Sequence, residues 1–174
     1  MNSPNAHGNS EVRQNILDTG QRIMAGKGFS AVGLTEILTT AGVPKGSFYH
    51  YFGSKDAFGE ALLERYFAEY LADLDQTLRQ PDVTMAQRLM TYWQQWQDNQ
   101  SFLDCQGKCL AVKLGAEVAD LSEPMLSVLK RGTAGIISRI AGAITRELKT
   151  GPCLSATSPR LLHKVSISFG WERA

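Results

Sequence analysis

Between positions 45 and 55 the chain gathers Lys45, Ser47, Tyr49, His50 and Lys55, a run of hydrogen-bond donors on a segment too short and too polar to be a core helix. Hydroxyls, an imidazole and ammonium groups are the side chains that bond phosphate oxygens and base edges. Gly46 in their midst would let the backbone approach a nucleic acid closely, although a glycine also suits tight internal packing. A second candidate is Cys109. On a continuous helix Cys105, Cys109 and Lys113 share one face, and Lys108 is adjacent in sequence. A nearby ammonium or helix N-terminus favours the thiolate, which is the form that reacts with electrophiles and oxidants. Against this stands the commonest fate of a free cysteine, burial as a small hydrophobe, here beside Leu110 and Val112.

Other chemistries lack their residues. The histidines, His7, His50 and His163, are far apart in sequence, so no metal-ligand set converges and no metal site is expected. There is no Walker loop, GxSxG elbow or HExxH, and Asp120 and Glu123 read as helix-start charges rather than paired catalytic carboxylates. No catalytic residue and no cofactor is expected. The aromatic series Tyr66, Phe67, Tyr70, Tyr92, Trp93 and Trp96 has the character of a pocket lining, yet core packing is the simpler role for most of it.

These groups must be positioned by a chain of 174 residues, long enough for a sizeable core, with 43% hydrophobic and 20% charged residues. The net charge of +1 gives no global basic signature, so a nucleic-acid reading rests on local residues alone. No apolar run approaches the roughly 20 residues that span a bilayer, and the start carries no signal-peptide pattern. With three cysteines, an odd number, the chain is expected to be cytoplasmic with free thiols and no membrane partner.

Residues 1–9 read as a disordered arm. Helical periodicity begins near Ser10, a candidate N-cap, and stops at Gly26-Lys27-Gly28. Thr35 is placed to cap a short helix over 35–40, and Ala41-Gly42-Val43 forms a tight turn before a second short helix over 45–51. Ser54 then caps a long helix carrying Phe58, Leu62, Leu63, Phe67, Leu71, Leu74 and Leu78. Thr84 caps a fifth helix with Leu89, Trp93 and Trp96 on its apolar side. Residues 104–121 continue the period, and Ser122-Glu123-Pro124 opens a long helix through about Lys149. The fold class is all-α: a three-helix helix-turn-helix domain over 10–56, and a helical bundle over 57–174 for sensing and dimerisation.

The stretch Gly28-Phe29 through Gly33-Leu34-Thr35-Glu36-Ile37-Leu38, then Ala41-Gly42-Val43-Pro44-Lys45-Gly46-Ser47-Phe48-Tyr49-His50-Tyr51-Phe52-Gly53-Ser54-Lys55, resembles the N-terminal pattern of the TetR family of transcriptional regulators. The resemblance implies a repressor that binds a double-stranded DNA operator as a homodimer. It further implies that Thr35 and Ser47 bond phosphates, that Lys45, Gly46 and Tyr49 face the groove, and that His50, Tyr51 and Lys55 anchor the DNA backbone. Phe48 and Phe52 are expected in the core. Gly107 to Val118 with Asp120-Leu121-Ser122 resembles an electrophile-sensing branch of the same family, in which Cys109 occupies the position of the reactive cysteine. The inducer is then a small electrophile or ligand, with Cys109 and Lys113 as sensing residues. Two alternatives remain: a reversible small-molecule regulator with an inert Cys109, and a thiol-dependent helical enzyme, which lacks a base near Cys109 in sequence.

The family pattern also implies two further dimerisation helices, whereas Val165, Ile167 and Phe169 alternate at period two, a strand pattern. A shift of reading frame at Leu162 accounts for it, since one permitted codon choice read from the third base of that codon restores a helical sequence. The C-terminus is therefore expected to be truncated or altered from Leu161 onward, with a weakened dimer.

Overall fold

The computed structural model describes residues 5–101 and 110–150. Every described element is a helix, and they run α1 (Asn5–Lys27), α2 (Leu34–Ala41), α3 (Lys45–Phe52), α4 (Lys55–Leu78), α5 (Met85–Ser101), α6 (Leu110–Leu121) and α7 (Glu123–Thr150). The all-α expectation holds for these residues. Among them no helix is long and apolar enough to cross a membrane.

The first helix begins earlier than its sequence suggests. Residues 5–9, expected in the disordered arm, lie within α1, and Ser10 is an interior residue rather than a cap. Extending an existing helix adds a hydrogen bond for each residue fixed, whereas starting one does not, so weak helix formers are carried along. Residues 1–4 lie outside the described residues. The helix stops where expected, at Gly28, whose φ of +89° no side-chain-bearing residue adopts easily, with its N–H donating to Met24 O at 2.8 Å.

A second cap also moves. Gly33, in extended backbone with φ −80° and ψ 148°, precedes the first residue of α2, so Thr35 falls inside the first turn instead of capping it. The other end is a full Schellman turn: Gly42 sits at φ +66°, Val43 N–H donates to Leu38 O at 3.0 Å, and Gly42 N–H to Thr39 O at 3.3 Å. Asn15 of α1 adds its Nδ2–H to Ala41 O at 2.9 Å, tying the turn to the first helix. Pro44, at φ −62°, leads into α3, which Gly53 ends. Ser54 then caps α4 as expected, its Oγ accepting from Ala57 N–H at 3.0 Å. Thr84 and Gln87 form a reciprocal capping box on α5, with Thr84 N–H donating to Gln87 Oε1 at 2.8 Å and Gln87 N–H to Thr84 Oγ1 at 3.3 Å.

One continuous apolar core joins the first three helices to the rest. It contains Ile16, Leu17 and Met24 of α1, Ile37 and Leu38 of α2, and Phe48 and Phe52 of α3. From the other half it takes Phe58, Leu62, Leu63 and Phe67 of α4, Leu114 and Val118 of α6, and Met125 of α7. The most extensive helix pair is α4 with α7. Gly132 makes that approach possible, because a Cβ there would overlap the Phe67 ring. A smaller cluster of Leu74, Leu78, Met85, Tyr92 and Ala143 closes the far end.

In α5 the buried stripe is Met85 and Tyr92 with Leu89 half-buried, not the expected Leu89, Trp93 and Trp96 face. Trp93 and Trp96 are 49% and 40% exposed. The register is set by Tyr92, whose hydroxyl lies 3.0 Å from that of Tyr70. Burying Tyr92 turns the neighbouring Trp93 outward, since adjacent helical residues point about 100° apart.

Candidate nucleic-acid interface

The short α3 is held by rings beneath it. Phe48 is completely buried and packs 5.5 Å from Phe58, and Phe52 packs 5.0 Å from the same ring, measured between centroids. Arg13 of α1 lays its guanidinium over Phe52 at 5.3 Å. Because Phe48 and Phe52 are four apart, they claim one side of the helix and leave Lys45, Gly46, Tyr49 and His50 on a broad exposed arc. Tyr49 is 49% exposed, and Lys45 Nζ stands 6.0 Å from its ring centre. Ser47 and Tyr51 flank the arc, half-buried.

Beyond its own chain neighbours and the surrounding helix backbone, nothing lies within 4 Å of where a Cβ on Gly46 would sit, so internal packing does not require this glycine. The space outside Gly46 is open. Thr35 is exposed in the first turn of α2. Lys55 differs from the others. Its Nζ–H donates to Phe29 O at 2.9 Å while the ammonium sits 4.5 Å over the Phe29 ring, so its charge is engaged within the protein. Of the expected residues, Thr35, Lys45, Gly46, Tyr49 and His50 are exposed on α2 and α3, Ser47 and Tyr51 are half-buried beside them, and Lys55 points back to the loop after α1.

Sequence reading missed the groups that fix this head to α4 and α6. Arg65 of α4 donates to Asp18 Oδ1 at 2.7 Å and to Gln21 Oε1 at 2.6 Å, both on α1. Glu117 of α6 accepts from Ser30 N–H at 2.8 Å. Neither pairing carries a local signal, since each joins residues more than 40 positions apart.

Lys113 falls in α6, but its side chain lies outside the described set, as do Cys105, Cys109, Cys153 and the tail from 151 onward. The frame-shift expectation and the shared cysteine face lie there too. Among the described residues no group of three or more His, Cys, Asp or Glu side chains could hold a metal ion.

Two eight-residue helices set by a glycine turn, the second presenting donors over an aromatic floor, define a helix-turn-helix DNA-binding regulator. The chain matches the bacterial regulatory proteins, tetR family, over residues 16–62, which run from α1 into α4. It is 42% identical over 140 residues, 80% of this chain and 70% of the relative, to the HTH-type transcriptional repressor NemR of Escherichia coli strain K12. It is 30% identical over 163 residues, 94% of this chain and 80% of the relative, to the HTH-type transcriptional repressor DhaR of Mycobacterium sp. strain GP1. The crystal structure of reduced E. coli NemR matches with a TM-score of 0.75 at 42% identity, covering 80% of this chain and 72% of that one. The chain belongs to the tetR family of bacterial regulatory proteins.

Proposed function

We propose that this protein is a cytoplasmic transcriptional repressor that binds a double-stranded DNA operator as a homodimer and is released when a small electrophile or oxidant modifies Cys109. The observation that carries the DNA half is the exposed arc of Lys45, Gly46, Tyr49 and His50 on a helix whose opposite side is buried. In this reading Lys45, Gly46 and Tyr49 face the groove, Thr35 and Ser47 bond phosphates, and His50 and Tyr51 anchor the DNA backbone. Lys55 is assigned to holding the loop after α1, because Phe29 already engages its ammonium. Two such helices about 34–36 Å apart in a dimer would enter successive major grooves.

The release half is supported by similarity to a repressor and by position in sequence. Cys109 immediately precedes Leu110, the first described residue of α6, and Lys113 lies four positions on in sequence. The thiolate sulfur adds to the polarised double bond of an electrophile, forming a C–S bond, and the displaced π pair takes a proton from water at the neighbouring carbon. One thiol is consumed per event, so the protein is a sensor and not an enzyme, and neither metal nor cofactor enters the step.

The test is titration of the full chain against DNA from just upstream of its gene, at two salt concentrations, with and without N-ethylmaleimide. Affinity is expected to fall by about tenfold or more on alkylation, within the usual span of allosteric coupling. The Cys109→Ser protein is expected to bind equally with and without the reagent. Binding by the unsubstituted chain that ignores alkylation, or an equal loss in Cys109→Ser, contradicts the thiol switch.

A further inference from the structure

The loop at residues 28–33 is where the reading head meets the rest of the protein. Phe29 is buried, and it and Met125 of α7 fill the space that a Cβ on Gly59 of α4 would take. Lys55 of α4 grips the Phe29 carbonyl and ring. From α6, Glu117 reaches back 87 positions to accept the Ser30 N–H at 2.8 Å through Oε2. Its other oxygen occupies the space that a Cβ on residue 28 would take, and residue 28 is a glycine at φ +89°.

Glu117 is out of place on its helix. Leu110, Leu114 and Val118 are buried, and Glu117 lies among them at helical spacing, half-buried on the same inward stripe. Its bond to the Ser30 amide lies at the solvent-exposed edge of the joint, where water can replace it once the two segments part. Glu117 thus makes a specific polar contact between α6 and the loop after α1 from a stripe otherwise given to packing. Charge-assisted bonds are strong but short-ranged, and a shift of α6 by well under a turn breaks one.

The connection continues into the head. Ser30 begins the segment that enters α2, the Schellman turn at Gly42 sets the start of α3, and Asn15 fixes that turn to α1. Upstream in sequence, Cys109 precedes Leu110, the first described residue of α6. We propose that Glu117 is a positioning residue that couples displacement of α6 to the orientation of the recognition helix, through its bond to the Ser30 amide. This rests on the regulatory reading above, and it adds the residue that links the two halves.

The experiment compares the unsubstituted chain with Glu117→Ala and Glu117→Gln by two readouts: amide hydrogen exchange of residues 28–52, and operator affinity with and without N-ethylmaleimide. In the unsubstituted protein the Ser30 amide is protected before alkylation and exchanges at least about tenfold faster after it. In Glu117→Ala it exchanges fast in both states, and the ratio of affinities without and with reagent falls to within about twofold of one, with Cys109 alkylated at the same rate. Glu117→Gln keeps an acceptor oxygen and is intermediate, an outcome that a general loosening of α6 does not give. Exchange at Ser30 unchanged by Glu117→Ala, or a full alkylation response in that variant, overturns the coupling. If the unsubstituted chain itself ignores the reagent, the thiol reading falls, and Ser30 exchange decides the joint alone: equal rates in the unsubstituted chain and Glu117→Ala sink it.

Discussion

Helices α2 and α3 have eight residues each, whereas α4 and α7 have 24 and 28. An isolated eight-residue helix is marginal in water, so the short pair depends on its ends and on the rings beneath it. Gly42, Pro44, Gly53 and Ser54 fix those ends within a dozen positions, and Phe48, Phe52 and Phe58 supply the floor. The long helices gain their stability from area instead, through Gly132 against Phe67 and the cluster around Leu74 and Tyr92. Helix α7 also turns apolar side chains to solvent, with Ile137 67% and Leu148 78% exposed, where the head exposes donors. The ends and the aromatic floor of α2 and α3 thus come from a short stretch of sequence, while the joint of the head to α4 and α6, like the α4–α7 pair, is assembled from partners distant along the chain.

The comparison breaks most readily at the aromatic floor. Phe48→Ala removes a fully buried ring. It is expected to cost about 3–5 kcal/mol, measured by denaturant unfolding, and to abolish DNA binding while α4 and α7 keep their helical signal. A uniform collapse of both halves would show that the continuous core makes them one cooperative unit. In the other half, Gly132→Ala forces a methyl against Phe67. Its expected cost is about 1–3 kcal/mol, from overpacking, with DNA contacts intact in the folded fraction. Ser54→Ala deletes the cap at the junction of the two regions. About 1 kcal/mol is expected from thermal melting, with the first turn of α4 losing amide protection. Leu148→Ser, on the exposed stripe of α7, is expected to move the stability of the isolated chain by no more than about 0.5 kcal/mol. A larger loss would mean that the stripe is covered in solution.

How much was legible follows the same division. The turn after α2, the start of α3 and the cap on α4 were readable because Gly42, Pro44 and Ser54 impose their geometry on their immediate neighbours. Ser10 and Thr35 were misplaced as caps, since a capping residue acts only where the helix starts, and propagation through residues 5–9 and extended Gly33 moved both starts upstream. Trp93 and Trp96 looked like a buried face because size and apolarity suggest burial, but the register of α5 belongs to Met85 and Tyr92. Lys55 fits the family pattern for a DNA anchor, and only the fold brings Phe29 beneath it. Glu117 gave no signal, since its partner lies 87 positions away.

The central claim is that the exposed arc of α3 reads DNA. Its most direct test is the affinity of Lys45→Ala and Tyr49→Ala for DNA upstream of the gene, beside their melting temperatures. The account predicts a loss of about 1–3 kcal/mol in binding for each, with the melting temperature unchanged. Binding as tight as that of the unsubstituted chain in both variants would contradict it.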